Sequence, residues 1–432
     1  MTAPPGASFP RSPTASVTRL LIALTALALL MRSIGLGAQV LAPDDVAVGI
    51  TAHSFVERGW PEPTMWNHPR LRDLLVYLSL HALGDGAWGL KLWSVLLGTL
   101  SVPATAALVL ALGGGIGAAG VAGLLVALDP LHLDFSRQAI NDVYLAFFPV
   151  AAILATLRYR ARRRPGWLAV AGLMLGLGLA SKWGAAFPVG AAAAVVWVEA
   201  LGAERSARGR AAETTLFLAC LVILPLAVYL ATFLPWFAAG HDLPEWLGLQ
   251  RAMAFETATH TGYPGSKRPG FPGEILSPIR WFAAPTWFVS HIPPETGSER
   301  MRLLAGVGNP ATWMATLPSL AWASKRWLRD HDRAAGWLAL LFLAAWLPFV
   351  VVRRPIWPNS AIGVLPFAFA LVAWAAVRLH SRLPWPVRAW GALAALLAAL
   401  LWWPAVGVET PVMERTVRAL VSPAALEPPP SP

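Results

Sequence analysis

Residues 41–75 read LAPDDVAVGITAHSFVERGWPEPTMWNHPRLRDLL. This is the first polar stretch after a long apolar run, and it places the adjacent acids Asp44 and Asp45 where the chain has just left a membrane-length segment. His68, Arg70 and Arg72 follow, beside Pro61, Pro63 and Pro69. Ionisable groups at the lip of a bilayer are costly to hold and are functional candidates by default. The prolines indicate a shaped loop in place of a random connector. The other polar groups of the chain are therefore judged by whether they face this loop.

The composition explains why a loop can matter so much. Of 432 residues, 56% are hydrophobic and only 13% charged, against about 25% charged in a soluble protein. Mean hydropathy is +0.56. The apolar residues fall in continuous runs near the length, about 20 residues, that crosses a hydrocarbon core. Continuous runs exclude a β-barrel, whose strands alternate. The fold class expected is an all-α polytopic membrane protein. The net charge of +11 is explained by basic cytoplasmic loops, not by nucleic acid. The single cysteine, Cys220, permits no internal disulfide.

About eleven spans are expected: 19–40, 88–112, 117–130, 142–157, 167–180, 183–201, 214–237, 303–323, 335–352, 360–377 and 387–403. Residues 74–83 are apolar but too short to cross, which predicts a helix lying at the interface. Residues 1–18 form a Pro/Ser-rich cytoplasmic tail, 19–406 a transmembrane domain with outer loops 41–87 and 238–301, and 407–432 a Pro-rich outer tail. With the N-terminus inside, the Arg-rich connections after residues 157, 201, 323 and 377 all fall on the cytoplasmic side, as the positive-inside rule asks. The short outer connections carry only Arg137, Lys182, Arg353 and Arg354. They share the outer face with Asp44, Asp45, His68 and Arg70, which implies a chemistry using acids and cations together.

Five stretches carry a family resemblance. LAPDDVAVGITAHSF resembles the Asp-Glu motif on the first outer loop of the protein O-mannosyltransferases (glycosyltransferase family 39, within the GT-C superfamily), with Asp45 where Glu is usual. NHPRL (67–71) resembles their His-Pro-Pro-Leu, SRQAINDVYLAFF (136–148) their Arg-containing helix entry, and GLGLASKWGAAF (176–187) their Ser-x-Lys-Trp segment. SKRPGFPGEILSPIRWFAAPTWF (266–288), with GNPATWM (308–314), is similar to their Pro/Trp-rich loop. HPR in place of HPP, and the absence of tyrosines after Arg353, depart from the pattern.

The resemblance implies a GT-C-type fold and inverting transfer of a sugar, such as mannose, from a polyprenyl-phosphate carrier. The acceptor is a hydroxyl on a protein, lipid or glycan outside the cytoplasm, and the enzyme sits in the plasma (inner) membrane among its lipids. Such a reaction needs a carboxylate to take the acceptor's proton and cations to hold the departing phosphate. Asp44 is the candidate base. The competing reading is a helix N-cap for one acid, with Asp45 capping or holding the sugar. His68, Arg70, Arg137, Lys182, Arg353 and Arg354 are candidate donor-binding residues, and Asp142 a partner that fixes Arg137. The plain alternative is snorkelling to headgroups and ordinary loop bonding. Trp60, Trp66, Trp281 or Trp287 is a candidate wall for a sugar subsite.

No cofactor is expected, since the lipid-linked sugar is a substrate. A divalent metal on Asp44, Asp45, His53 and His68 is disfavoured because two adjacent acids seldom both ligate one ion. Gly172 and Gly176 form a GxxxG expected to serve helix packing. A transporter or flippase is the rival class, but the chain shows no inverted repeat and its polar groups gather at one lip, not at the midplane.

Overall fold

The computed structural model describes residues 14–39, 41, 43–61, 66–204, 206–259, 278–283, 288–292, 302–306, 308–352, 356 and 358–405. Residues 1–13 of the expected N-terminal tail, the C-terminal tail, Arg353, Arg354, Trp287 and most of the 266–288 motif lie outside those residues, while residues 15–18, expected in the tail, are helical.

Helix α1 (Ala15–Ser33) starts where the Thr14 hydroxyl accepts the Val17 N–H at 3.4 Å. It is followed by α2 (Pro43–Arg58), α3 (Leu71–Leu83), α4 (Ala87–Ala111), α5 (Gly115–Leu128) and the short α6 (Pro130–Phe135). Next come α7 (Asp142–Arg162), α8 (Pro165–Leu179), α9 (Ala186–Ala203), α10 (Ala207–Leu218), α11 (Leu224–Ala231), α12 (Leu234–Ala238) and α13 (Leu243–Thr259). A two-stranded antiparallel ribbon, β1 (Phe288–Ile292) with β2 (Arg302–Gly306), pairs Phe288 with Gly306. The chain closes with α14 (Pro310–Met314), α15 (Thr316–Asp330), α16 (Arg333–Val351), α17 (Leu365–His380) and α18 (Pro384–Ala405).

Among the described residues seven helices are long and apolar enough to cross a membrane: α1, α4, α7, Trp183–Ala203, Ala207–Ala231, α16 and α18 through Trp402. Three shorter apolar helices, α5, α8 and α17, accompany them. The protein is an integral membrane protein of almost wholly helical build. α17 is buried without interruption from Leu365 to Ala375, and α7 is buried over most of its length, so these two form the middle of the bundle. α1 and α18 keep leucines such as Leu30, Leu393 and Leu396 exposed. An apolar rim of that kind suits lipid, because a helix satisfies its own backbone there. Gly172 and Gly176 perform the expected packing: a Cβ at Gly172 would run into the Cys220 carbonyl, and one at Gly176 would meet Val228.

Two expectations change. The interfacial helix at 74–83 begins earlier, at Leu71, and stops at Gly84, whose φ of +81° favours glycine. The apolar span expected at 303–323 is not one helix. It is strand β2, the single turn α14 and the amphipathic α15, which carries Lys325, Arg326 and Arg329. Before α14 the Asn309 N–H donates to Asp129, at the end of α5, and beyond α15 Asp332 binds Arg378 near the end of α17. Hydropathy missed the break because Pro310 restarts the helix inside an apolar stretch.

Asp129 is the fastening point. Its carboxylate accepts the His132 N–H at 3.0 Å, the Asn309 N–H at 3.2 Å and the Trp313 indole N–H at 2.8 Å. Asp129→Ala would leave three buried donors unpaired, at about 1–3 kcal/mol each. A large fall in the thermal unfolding temperature of the purified protein is expected. An unchanged temperature would show that water replaces the carboxylate.

Candidate active site

The first turn of α2 carries Asp44 and Asp45. Neighbours on a helix point about 100° apart, so the two acids cannot serve one purpose. Asp45 turns inward and is fully buried. It lies 3.1 Å from Lys91 Nζ of α4 and accepts the Ala139 N–H at 2.7 Å. Lys91, also fully buried, donates to Gln39 Oε1 at 3.3 Å. Asp45 thereby joins α2, α4, the turn after α1 and the 136–141 segment.

Asp44 turns outward and is exposed, and makes no hydrogen bond or ion pair among the described residues. The surrounding protein mass raises its pKa above the ordinary carboxylate value, and the negative Asp45 and Asp142 raise it further. Arg72 pulls the other way. A carboxylate that is unbound, accessible and more basic than usual is suited to accept a proton.

Asp142, at the start of α7, receives Lys182 Nζ at 2.5 Å and the side-chain N–H of Asn359 at 3.1 Å. The expected Arg137 partnership is therefore replaced by Lys182. Arg137 is buried and its Nη1 donates to the carbonyls of Arg32 and Ile34, both at 2.7 Å. It holds the chain where α1 ends. Burial pushes its pKa down to about 10.

Arg70 is likewise buried. It meets Asp73 at 2.8 Å, donates to the Trp66 carbonyl at 2.9 Å and lies over the Phe55 ring. Arg72 grips the other Asp73 oxygen through Nε at 3.0 Å and Nη2 at 2.8 Å. The Leu71 N–H then donates to the Ala180 carbonyl at 2.9 Å, which ties this loop to the Ser181-Lys182 corner. His68 is half-buried on the same turn.

The structure thus joins Asp142, Lys182 and Asn359 by direct bonds and puts Asp44 within electrostatic reach of Asp142 and of the buried Arg72. It does not bring Asp45, Arg70 or Arg137 into the open. Trp281 is buried, whereas Trp60 is exposed and stacks on Trp236 at 5.0 Å. His53 pairs with Glu57 at 3.2 Å. Among the described residues no three His, Cys, Asp or Glu side chains converge on a metal-sized site.

Sequence reasoning missed Lys91, Asp73 and Asn359. Lys91 gave a signal, as the one charge inside the 88–112 span. Asp73 and Asn359 gave none, because nothing local distinguishes them from solvated residues. Asn141, beside Asp142, was also passed over. It is buried, and neither its side-chain oxygen nor its nitrogen has a partner among the described residues.

Known proteins share this architecture. The family model for dolichyl-phosphate-mannose-protein mannosyltransferases matches residues 81–239. A polyprenol-phosphate-mannose–protein mannosyltransferase of Corynebacterium glutamicum is 23% identical over 376 residues, covering 73% of this chain and 71% of that relative. The Saccharomyces cerevisiae protein O-mannosyltransferase Pmt1-Pmt2 complex, solved with its sugar donor, aligns with a TM-score of 0.64 at 13% identity. That alignment covers 91% of this chain and 90% of the yeast chain. ArnT from Cupriavidus metallidurans in the apo state aligns with a TM-score of 0.55 at 18% identity, over 88% of this chain and 62% of its own length.

The inward and outward roles of the two acids separate in a stability measurement. Asp45→Ala strands the buried Lys91 charge, and about 3–5 kcal/mol of stability is expected to go with it. Adding Lys91→Met should recover most of that loss. An Asp45→Ala protein as stable as the wild type but without turnover would make Asp45 a reacting group.

Proposed function

We propose that this chain, with its acid beside a paired cation at one lip of the bundle, is a protein O-mannosyltransferase-like glycosyltransferase of the GT-C superfamily that uses a polyprenyl-phosphate-linked sugar. The sugar is mannose and the acceptor a protein hydroxyl, the donor and acceptor classes in the name of the C. glutamicum relative. The observation that carries the reading is the state of Asp44: exposed, uncommitted and raised in pKa, beside the Asp142–Lys182 pair.

Asp44 takes the proton of the acceptor hydroxyl as its oxygen attacks the anomeric carbon from the side opposite the phosphate. The bond to the phosphate oxygen breaks with oxocarbenium character on the sugar, and the configuration inverts. Negative charge then gathers on the lipid phosphate. Lys182 is the cation placed to meet it, with Arg72 close enough to act on the same field. Asp142 holds the Lys182 ammonium in place, and Asn359 holds Asp142. Asn141 supplies an amide whose two side-chain atoms have no partner among the described residues, matched to sugar hydroxyls. Arg353 and Arg354, outside the described residues, are proposed from the sequence alone as further charges for the carrier phosphate. No step is assigned to a cofactor or a resident metal, because side chains supply both the base and the cations.

Asp44→Asn keeps the size of the side chain but cannot accept a proton, so turnover should fall about 10²–10⁴-fold. Donor binding should remain. In the wild type the rate should rise with pH through the Asp44 pKa, with that limb above the ordinary aspartate value near 3.9. Turnover by Asp44→Asn within a factor of a few of wild type would remove Asp44 from the base role.

The basic connections also give the orientation. We place the N-terminus in the cytoplasm and the Asp44 face outside, in a plasma (inner) membrane. A reporter inserted in the 163–164 turn, at Arg163 and Arg164 beside Arg162, should be active only in the cytoplasm. Activity on the outer side would invert the assignment.

A further inference from the structure

A cavity of about 440 Å³ lies between α5, α17 and α18. Its walls are aliphatic: Leu124 and Leu128 from α5, Val377 from α17, Ala394 and Ala398 from α18. Its size is within the range, about 300–1,000 Å³, of sites that enclose small molecules. One end reaches Asp129, whose oxygens are already taken by the three N–H donors described above. The other end carries His380 and Arg388. Both are exposed, and neither makes a hydrogen bond or ion pair among the described residues.

From Val387 to Ala398 the groove follows α18 for about 16 Å at 1.5 Å per residue. A long slot with hydrocarbon walls and, at one lip, an arginine and a histidine without partners among the described residues matches a lipid in both of its parts. Basic pockets between transmembrane helices hold anionic headgroups, and the slot accepts a chain. We propose that this groove binds one acyl chain of an anionic membrane phospholipid, with the phosphate held by Arg388 and His380.

The polyprenyl carrier is the wrong occupant on geometric grounds. His380 is at the opposite end of α17 from the Pro358–Gly363 turn that holds Asn359, about 24 Å away along 16 residues. The phosphate of the donor is needed at the Asp142–Lys182 end. The lipid therefore comes from the other leaflet, and its site is separate from the acid–cation face.

Gly391 offers a direct test. It lines the groove, and a Cβ added there meets no atom within 4 Å. A side chain at 391 fills the slot without a clash, on a helix that prefers almost any residue to glycine. The full chain would be purified from nanodiscs of phosphatidylcholine with graded phosphatidylglycerol, and its retained lipid counted by native mass spectrometry. The wild type should hold one phosphatidylglycerol per chain.

Gly391→Phe should lose it at unchanged thermal stability, and Gly391→Val gives the same readout should the larger residue lower the yield. Arg388→Ala with His380→Ala should cut the preference for phosphatidylglycerol over phosphatidylcholine at least fivefold, about the factor for one basic residue near an anionic lipid. The proposal is overturned if the filled variants retain as much phosphatidylglycerol as the wild type. It is also overturned if the wild type retains no lipid, or if the lipid displaced by Gly391→Phe is a polyprenyl phosphate.

Discussion

The face that carries the acids is organised by one buried ion pair, Asp45 with Lys91. Removing two charges from water costs several kcal/mol per ion, and their attraction offsets that only when the remaining valences are also met. Here they are. The Ala139 N–H occupies one Asp45 oxygen, and Gln39 takes a Lys91 proton. Four segments distant in sequence are thereby held at one point. The same geometry forces Asp44 outward, so the freedom of one acid is a consequence of the burial of the other.

Around that point the arginines act as struts. Arg137 caps the carbonyls of Arg32 and Ile34, and Arg70 and Arg72 share the two oxygens of Asp73. Arg has the planar, multidentate donor set this work demands, and a lysine would not substitute. Arg70, Arg72 and Arg137, all buried, are thus spent on shape. Lys182, bound to Asp142, stays one-fifth exposed.

The class of fold was open to view in the sequence because membrane helices advertise themselves by length and apolarity. The location of the polar face was visible for a similar reason, as charge in such a chain is too costly to be casual. Individual roles were hidden. Asp44 and Asp45 are adjacent letters, and only the start of α2 at Pro43 decides which one turns inward. Lys182 and Arg137 looked equivalent, yet one meets a carboxylate and the other two carbonyls. Asn359 comes from a turn more than two hundred residues beyond Asp142, a proximity that no local pattern encodes. The expected helix at 303–323 failed because hydropathy averages over the break that Pro310 introduces.

That reach of Asn359 has a consequence for how the protein is made. Domains and segments form in the order in which they leave the ribosome. α2, α7 and the Lys182 corner are all inserted long before residue 359 is synthesised. Until then the Asp142 carboxylate has its lysine but lacks its amide, and the central helix α17 has not entered the bundle. The face that holds the acids is therefore finished late, after most of the membrane-spanning chain is in place.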